Sequence, residues 1–178
     1  ISAPEWAFVP DHWNAAFLKG LAKLAPDWKG LRVWEVGVGT GTNILALSGL
    51  VTDGIIWHFS DQDSRCVPLA LKNLKAFGRD PTKLRALHGS WDLVCPGQLS
   101  RMKAPKVHVV FGCLPQVPAR VDLAAGDNRS QYYDPRQYPK AHLHELGLGL
   151  NETLLQRAKK VLEPGGKVVL NLSGRPGL

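Results

Sequence analysis

The stretch Trp34–Thr42, which reads WEVGVGTGT, decides the fold of this chain. The first predicted strand covers 32–38, and three alternating glycines, Gly37, Gly39 and Gly41, lie at its end. Glycine allows a tight turn after a strand and lets a ligand approach the backbone closely. Thr42 stands where a dinucleotide fingerprint has its last glycine, so the spacing favours a ligand lying flat across the loop over a pyrophosphate at a helix end.

An acidic residue ends the next predicted strand, which covers 54–61 and reads GIIWHFSD. Asp61 follows Gly41 by twenty positions, where a carboxylate accepts hydrogen bonds from both hydroxyls of a ribose. Gln62 comes next at the same sheet edge. Asp63 is a second candidate for the ribose, or else the N-cap of the following helix. The glycine loop and Asp61 together predict a nucleoside-binding site.

The remaining apolar runs alternate with helix-period segments, which is typical of βαβ units and a parallel sheet. We expect further strands over 84–88, 106–112 and 167–172, and helices over about 13–24, up to 50, 65–77 and up to 162. Asp11 is the predicted N-cap of the first helix and Pro26 ends it, while 163–166 is predicted to form a turn before the last strand. Residues 1–30 are predicted to form an N-terminal helical segment, and 31–178 a Rossmann-like domain. The stretch 114–142 exceeds the usual ~12–15 residues of a connection. It either closes over a site or is a surface loop.

The E-x-G-x-G-x-G pattern with Asp61 resembles class I S-adenosylmethionine-dependent methyltransferases from about 31 to 172. The resemblance implies a mostly parallel Rossmann-like sheet with flanking helices. That fold usually ends with two more strands, which we expect this chain to lack. Asp92 is placed where adenine contacts are usual, and Trp91 either stacks on the ring or fills core. The expected cofactor-binding residues are Glu35, Gly37, Gly39, Gly41, Thr42, Asp61, Gln62, Trp91, Asp92 and Gly112.

Four further motifs resemble the methyltransferase domain of methionine S-methyltransferases. They are FVPDHW over 8–13, GCLPQVP over 112–118, LGLGL over 146–150 and NLSGRPG over 171–177. In such proteins this domain is often joined to others, so we expect further domains in a longer chain.

The segment after the fourth strand indicates which atom is methylated. Amine-methylating relatives have Asn-Pro-Pro-Tyr there, whereas this chain has Cys113, Leu114, Pro115 and Gln116. Cysteine is a poor hydrogen-bond acceptor, so it would not bind the N–H of a target nitrogen as the asparagine does. A thioether has no proton to release and needs only alignment and exclusion of water. We therefore predict that Cys113, Pro115 and Gln116 form the catalytic slot; ordinary strand-end packing is the alternative for Cys113.

An amino-acid substrate brings a carboxylate to be bound. Arg175, just after the fifth predicted strand, is the predicted partner, with Arg129 and Arg136 next. Tyr132 and Tyr133 are predicted to cover the product sulfonium, or else are surface residues.

Composition limits the other partners. The net charge of +7 is spread along the chain, which favours a solvated surface over a nucleic-acid site. The three cysteines form no CxxC pair, and His142, His144 and Glu145 are interpreted as helix-start and surface residues, so no metal is expected. No apolar run approaches the ~20 residues of a membrane span, and the first residues do not resemble a signal peptide. We expect a cytoplasmic protein.

The predicted reaction is methylation of methionine to S-methylmethionine, with S-adenosylmethionine leaving as S-adenosylhomocysteine. One alternative is a nitrogen methyltransferase acting on protein glutamine or nucleic acid, which the basic charge favours and the absence of Asn-Pro-Pro-Tyr opposes. Another is a non-catalytic domain that binds the cofactor within a larger chain.

Overall fold

The computed structural model describes residues 2–7, 12–25, 27–51, 54–87, 104–116 and 142–172. These ranges contain five strands, β1 Arg32–Val36, β2 Ile56–Ser60, β3 Leu84–Ala86, β4 Val107–Gly112 and β5 Leu162–Leu170. They also contain four α-helices, α1 His12–Ala22, α2 Thr42–Ser48, α3 Cys66–Ala76 and α4 Gly149–Ala158, and two short 3-10 helices, Pro81–Lys83 and His142–Leu146.

The strands form one parallel sheet in the order β3-β2-β1-β4-β5. Val36 at the end of β1 is level with Ser60 on one side and Gly112 on the other. The chain moves outward from β1 to β3 and then returns to the other side of β1. In open α/β sheets, ligands bind at the carboxyl ends of the strands where the order reverses in this way. The predicted Rossmann-like sheet is confirmed, and its reversal lies between β1 and β4.

Apolar residues cover both faces of the sheet because successive strand residues point to opposite sides. On one face Val33, Phe59 and Phe111 pack with residues of α1, α2 and α3. On the other face Trp34 and Val110 pack against α4. Parallel strands buried on both sides read as nearly continuous apolar runs, which is why their positions could be predicted.

The predicted start of the fifth strand is wrong. The prediction placed a turn over 163–166 and the strand from Lys167, but β5 begins at Leu162 and α4 already ends at Ala158. Leu162 pairs with Val107, whereas Lys167 pairs with Val109, so five positions on β5 span two on β4. Gly165 has a positive φ of 76° within this irregular stretch. The Pro-Gly-Gly sequence therefore forms a bulge inside the strand rather than a turn before it.

The N-terminal part packs into the same core as the sheet. Leu18 and Leu21 of α1 and Trp28 after it are buried together with Ile44 of α2. The helix ends at Ala22, two residues before its predicted end. Its predicted cap Asp11 and the predicted helix breaker Pro26 lie outside the described residues.

Candidate functional site

The three glycines after β1 share a backbone conformation but meet different surroundings. Gly37, Gly39 and Gly41 have φ of 73°, 52° and 81°, a region that residues with a Cβ rarely adopt. A Cβ added at Gly41 would lie 3.1 Å from the Cβ of Ala70, and one at Gly37 would lie 3.2 Å from the Cδ2 of Leu114. At Gly39 it would meet no atom within 4 Å. Gly39 therefore faces open space, as a cradle for a ligand requires.

Backbone hydrogen bonds join the glycine loop to the end of β2. The carbonyl of Ser60 accepts from the N–H groups of Gly37 and Val38, at 3.0 and 2.9 Å. The N–H of Gly39 donates to Oδ2 of Asp61 at 2.9 Å. The structure thus brings together the loop and the acidic residue that the sequence predicted separately.

Asp61 is a nearly buried carboxylate, with 8% of its surface exposed. Its Oδ1 accepts from the N–H of Asp63 at 2.9 Å. Burial raises the pKa of Asp61, and the charge of Asp63 adds to this rise, while the hydrogen bonds from Gly39, Asp63 and the Cys66 thiol oppose it. The same burial, with the nearby carboxylates, raises the pKa of the Cys66 thiol. A carboxylate offers about four lone-pair positions, so Asp61 retains capacity to accept from a hydroxyl group.

Asp63 is engaged at the start of α3 instead. Its Oδ1 accepts from the N–H of Arg65 at 2.9 Å. Its Oδ2 forms an ion pair with the Arg65 guanidinium at 2.6 Å, and this contact lowers the pKa of Asp63. The interpretation of Asp63 as the helix N-cap is wrong, because the N-cap of α3 is Arg65 and no side chain caps this helix. A ribose contact of Asp63 stays a prediction.

The segment after β4 is held against the end of β5. The side-chain amide of Gln116 donates to the carbonyl of Asn171 at 2.8 Å. The Nδ2 of Asn171 lies 3.7 Å from the Sγ of the half-buried Cys113. Leu114 is buried and contacts the glycine loop at Gly37. The predicted catalytic segment and the predicted cofactor loop are therefore neighbours, with Leu114 between them.

Other predicted cofactor residues have protein partners. Glu35 is completely buried, and its Oε1 accepts from the Nδ2 of Asn43 at 2.8 Å. The hydroxyl of Thr42 lies 2.7 Å from that of Thr40. Contact of Glu35 and Thr42 with a cofactor stays a prediction. At Gly112, an added Cβ would lie 3.0 Å from the carbonyl oxygen of Val36, so this glycine lets β1 and β4 approach closely.

Five predicted site residues lie outside the described residues, namely Trp91, Asp92, Tyr132, Tyr133 and Arg175. Sequence reasoning also missed two residues that the structure places beside the loop, Asn43 and Asn73, both almost fully buried. An asparagine among apolar residues of a helix was the available signal, because a buried amide must find hydrogen-bond partners.

A cavity of about 450 Å³ lies elsewhere, at the amino ends of the strands, where Gly54, Ile55 and Leu84 line it. Because parallel sheets of this kind bind ligands at their carboxyl ends, this cavity does not mark the site. Within the described ranges, no group of three or more His, Cys, Asp or Glu side chains could hold a metal ion. No helix in the part of the chain that the structure describes is long and apolar enough to cross a membrane.

Comparison with known sequences finds distant relatives. No protein-family model matches the chain. A methionine S-methyltransferase of Zea mays is 25% identical over 96% of this chain. One of Arabidopsis thaliana is 23% identical over the same share. The chain spans 17% and 18% of the length of these two relatives.

Solved structures share the fold at low identity. A methyltransferase from Pyrococcus furiosus has a TM-score of 0.61 and 16% identity, with 96% of this chain and 67% of that chain covered. The S-adenosylmethionine-dependent methyltransferase SibL has a TM-score of 0.54 and 19% identity, with 89% and 36% covered. TrmN from Thermus thermophilus has a TM-score of 0.57 and 23% identity, with 86% and 36% covered.

The residues at the sheet edge fit S-adenosylmethionine. Gly39 leaves space above the loop, and Asp61 can still accept hydrogen bonds from a ribose. The glycine loop after β1 and the acidic residue after β2 lie at the carboxyl edge of the sheet, and the fold as a whole is similar to that of the solved structures. The chain therefore has the parallel Rossmann-like sheet with flanking helices that these solved methyltransferases share.

Proposed function

We propose that this chain transfers the methyl group of S-adenosylmethionine to the thioether of methionine, giving S-methylmethionine and S-adenosylhomocysteine. The observation that carries the proposal is the segment after β4, where Cys113 and Gln116 are both held by Asn171 beside the glycine loop. The similarity to methionine S-methyltransferases over 96% of the chain supports the same acceptor.

Gly37, Gly39, Gly41 and Asp61 would hold the cofactor in this proposal. Gly39 gives the ligand close access to the backbone, and Asp61 accepts hydrogen bonds from the ribose. Bound there, S-adenosylmethionine supplies a methyl group that a sulfonium has already activated. The chain must then align an acceptor with it and exclude water.

The segment 113–116 suits an acceptor that has no proton to lose. The amide of Gln116 already donates to a backbone carbonyl, and the Sγ of Cys113 is a weak acceptor that lies beside the amide of Asn171. Leu114 contributes an apolar surface next to the loop. Methylation of a thioether uses a sulfur lone pair and releases no proton, so this segment needs no general base.

Recognition of the rest of methionine is assigned to residues outside the described ranges. We propose that Arg175 binds the substrate carboxylate and that Tyr132 and Tyr133 cover the product sulfonium. We also propose that the domain acts within a longer protein, because the chain spans 17% of the Zea mays relative.

A transfer assay tests the proposal. The chain is incubated with S-adenosylmethionine that carries a labelled methyl group. Free methionine, a glutamine-containing protein substrate and RNA are added as acceptors in separate reactions. We expect labelled S-methylmethionine with matching amounts of S-adenosylhomocysteine, and less product with Asp61→Ala at limiting cofactor. Label in protein or RNA, with none in methionine, would contradict the proposed acceptor.

A nitrogen methyltransferase acting on protein glutamine or nucleic acid is the second candidate. The net charge of +7 favours it, since a basic surface attracts nucleic acid. The presence of Cys113 at the end of β4 opposes it, because a target N–H needs a good acceptor there. Binding of the cofactor without transfer to any acceptor would instead support the third alternative, a non-catalytic cofactor-binding domain.

A further inference from the structure

Two buried asparagines connect the N-terminal segment, defined as residues 2–7 and α1, to the glycine loop. Asn43 lies on α2, immediately after the loop, and Asn73 lies on α3. Their exposed fractions are 6% and 4%. Neither residue belongs to the sheet edge where the cofactor and acceptor are expected to meet, so the proposed reaction leaves both unexplained.

Asn43 is the centre of a hydrogen-bonded relay from α1 to β1. Asn14 on α1 donates from Nδ2 to the Oδ1 of Asn43 at 3.0 Å. Asn43 in turn donates from Nδ2 to the Oε1 of Glu35 at 2.8 Å. Glu35 is completely buried and stands two residues before the first glycine of the loop. A buried polar network of this kind rigidifies its surroundings, because each broken bond leaves a desolvated group.

Asn73 makes a second connection, to the middle of the loop. Its Nδ2 donates to the carbonyl of Thr40 at 2.9 Å and to the carbonyl of Ser2 at 3.0 Å. Its Oδ1 accepts from the N–H of Ser2 at 3.0 Å. Thr40 stands between Gly39 and Gly41, so one amide side chain ties residue 2 to the part of the loop that faces open space.

A cation–π contact between Arg65 and Trp6 also attaches the N-terminal segment. The guanidinium carbon of Arg65, just before α3, lies 4.3 Å from the centre of the Trp6 ring. The same Arg65 is paired with Asp63, two positions after the ribose candidate Asp61. The N-terminal segment is therefore attached both to the glycine loop, through Asn73, and to Arg65 before α3.

We infer that the N-terminal segment holds the glycine loop in its ligand-binding conformation, with Asn14, Asn43 and Asn73 as positioning residues. Glycines with positive φ give the loop other accessible conformations, and the two connections restrict them. Anything that orders the loop then also orders the N-terminal segment, because coupling between two sites is reciprocal. The inference rests on cofactor binding by the loop, which is part of the proposed function, and extends that function to the N-terminal segment.

The test compares Asn14→Ala with Leu18→Ala. Both residues are on α1 and buried, but Leu18 belongs only to the apolar core. We expect both variants to melt at lower temperature. Only Asn14→Ala should weaken S-adenosylhomocysteine binding in calorimetry, by about tenfold, since a buried amide is left unpaired beside the loop. Asn73→Ala, matched with Leu74→Ala on α3, is a second pair that does not depend on how Asn14→Ala folds.

Hydrogen exchange gives a readout that a purely structural role would not change. We expect S-adenosylhomocysteine to slow amide exchange in α1 of the parent and of Leu18→Ala, and to slow it less in Asn14→Ala. Unchanged S-adenosylhomocysteine affinity in both asparagine variants, or equal losses of affinity in the leucine controls, would overturn this inference but not the proposed function. A parent protein that does not bind S-adenosylhomocysteine would overturn the proposed function as well.

Discussion

The glycines of the loop differ in what a side chain would meet. At Gly41 an added Cβ would contact α3 through Ala70 at 3.1 Å, whereas at Gly39 it would meet nothing within 4 Å. Both have positive φ, so either substitution strains the backbone. Packing against α3 excludes a side chain at Gly41, whereas the open space beside Gly39 is available to a ligand.

Gly39→Ala, compared with a control glycine, should distinguish an effect on cofactor binding from an effect on the free energy of unfolding. We expect it to lower the free energy of unfolding by about 1–2 kcal/mol, the cost of a left-handed residue with a Cβ, and to weaken S-adenosylhomocysteine binding by at least about tenfold. Gly30→Ala is the control, because Gly30 has φ of 75°, meets no atom within 4 Å and lies just before β1, away from the loop. Urea unfolding and calorimetry measure both quantities. Equal cofactor affinity in the two variants would remove Gly39 from the site.

The sequence predicted which residues form the loop better than it predicted which side chains form hydrogen bonds around the loop. Spacing alone placed the three glycines and Asp61 at one sheet edge, because parallel strands end together. It did not predict that Asn43 binds Glu35, since that contact depends on how α2 packs against β1. Local patterns report which residues share an element, whereas hydrogen bonds between elements depend on tertiary packing.

His58 on β2 shows how a neighbouring strand changes a buried side chain. It pairs with Trp34 of β1 and with Arg85 of β3, and 7% of its surface is exposed. Burial is the largest cause that lowers the pKa of His58 from 6.5 to about 4; the charges of Arg85 and Arg32 contribute, and a hydrogen bond to the backbone of Val33 opposes them. The folded protein therefore holds this imidazole neutral.

This lowered pKa predicts how stability depends on pH. Between about pH 6.5 and 4 the unfolded chain binds a proton at His58 that the folded chain does not, so acidification favours unfolding over this range. We expect the melting temperature of the parent to fall from pH 7 to pH 4.5 by more than that of His58→Gln. Parallel pH profiles for the two proteins would show that His58 does not contribute.

At the level of elements, periodicity predicted the presence of strands and helices more accurately than the residues at which they begin and end. β4 begins one residue after its predicted start and ends at the same residue, because its apolar run is buried on both faces. β5 was misplaced at its start, since the Pro-Gly-Gly stretch is typical of a turn. Pairing with β4 keeps that stretch within the strand as a bulge, and sequence alone does not contain the pairing partner.

The whole molecule brings the ends of β1, β2, β4 and β5 to one edge, with the reversal of strand order between β1 and β4. Sequence could predict this edge because the βαβ pattern dictates it. Whether the stretch 114–142 closes over this edge stays a prediction, since such long connections lack a periodic pattern. Arg175, Tyr132 and Tyr133 therefore stay predictions.

Arg175 tests whether the acceptor is an amino acid. Arg175→Ala should raise the KM for methionine while leaving S-adenosylhomocysteine affinity nearly unchanged, because the two ligands are assigned to different strand ends. Arg175→Lys should not restore the KM, since lysine lacks the planar fork that binds a carboxylate at two points. Methionine amide should be a poor substrate of the parent. If Arg175→Ala kept both its KM and its preference for the free acid, Arg129 and Arg136 would be the next candidates.

The pH dependence of the rate tests the acceptor atom. A thioether does not titrate near neutral pH, whereas an amine loses its lone pair when protonated. With cofactor saturating, we expect kcat to show no acceptor pKa between about pH 6 and 8. The cofactor must be saturating because the pKa of Asp61 is raised. As the pH falls, Asp61 is protonated earlier than an ordinary carboxyl group, and cofactor binding weakens as a result. A steep loss that tracks the pKa of an amine would favour a nitrogen acceptor.

The most direct test of the account is calorimetry of S-adenosylhomocysteine binding to the parent, Asp61→Ala and Asp63→Ala. We expect the parent to bind and Asp61→Ala to lose about 1–3 kcal/mol of binding free energy, the value of hydrogen bonds to a charged group. Asp63→Ala should bind like the parent, because Asp63 is engaged with Arg65 at the start of α3. A parent that does not bind, or an Asp61→Ala variant that binds with unchanged affinity, would contradict the account.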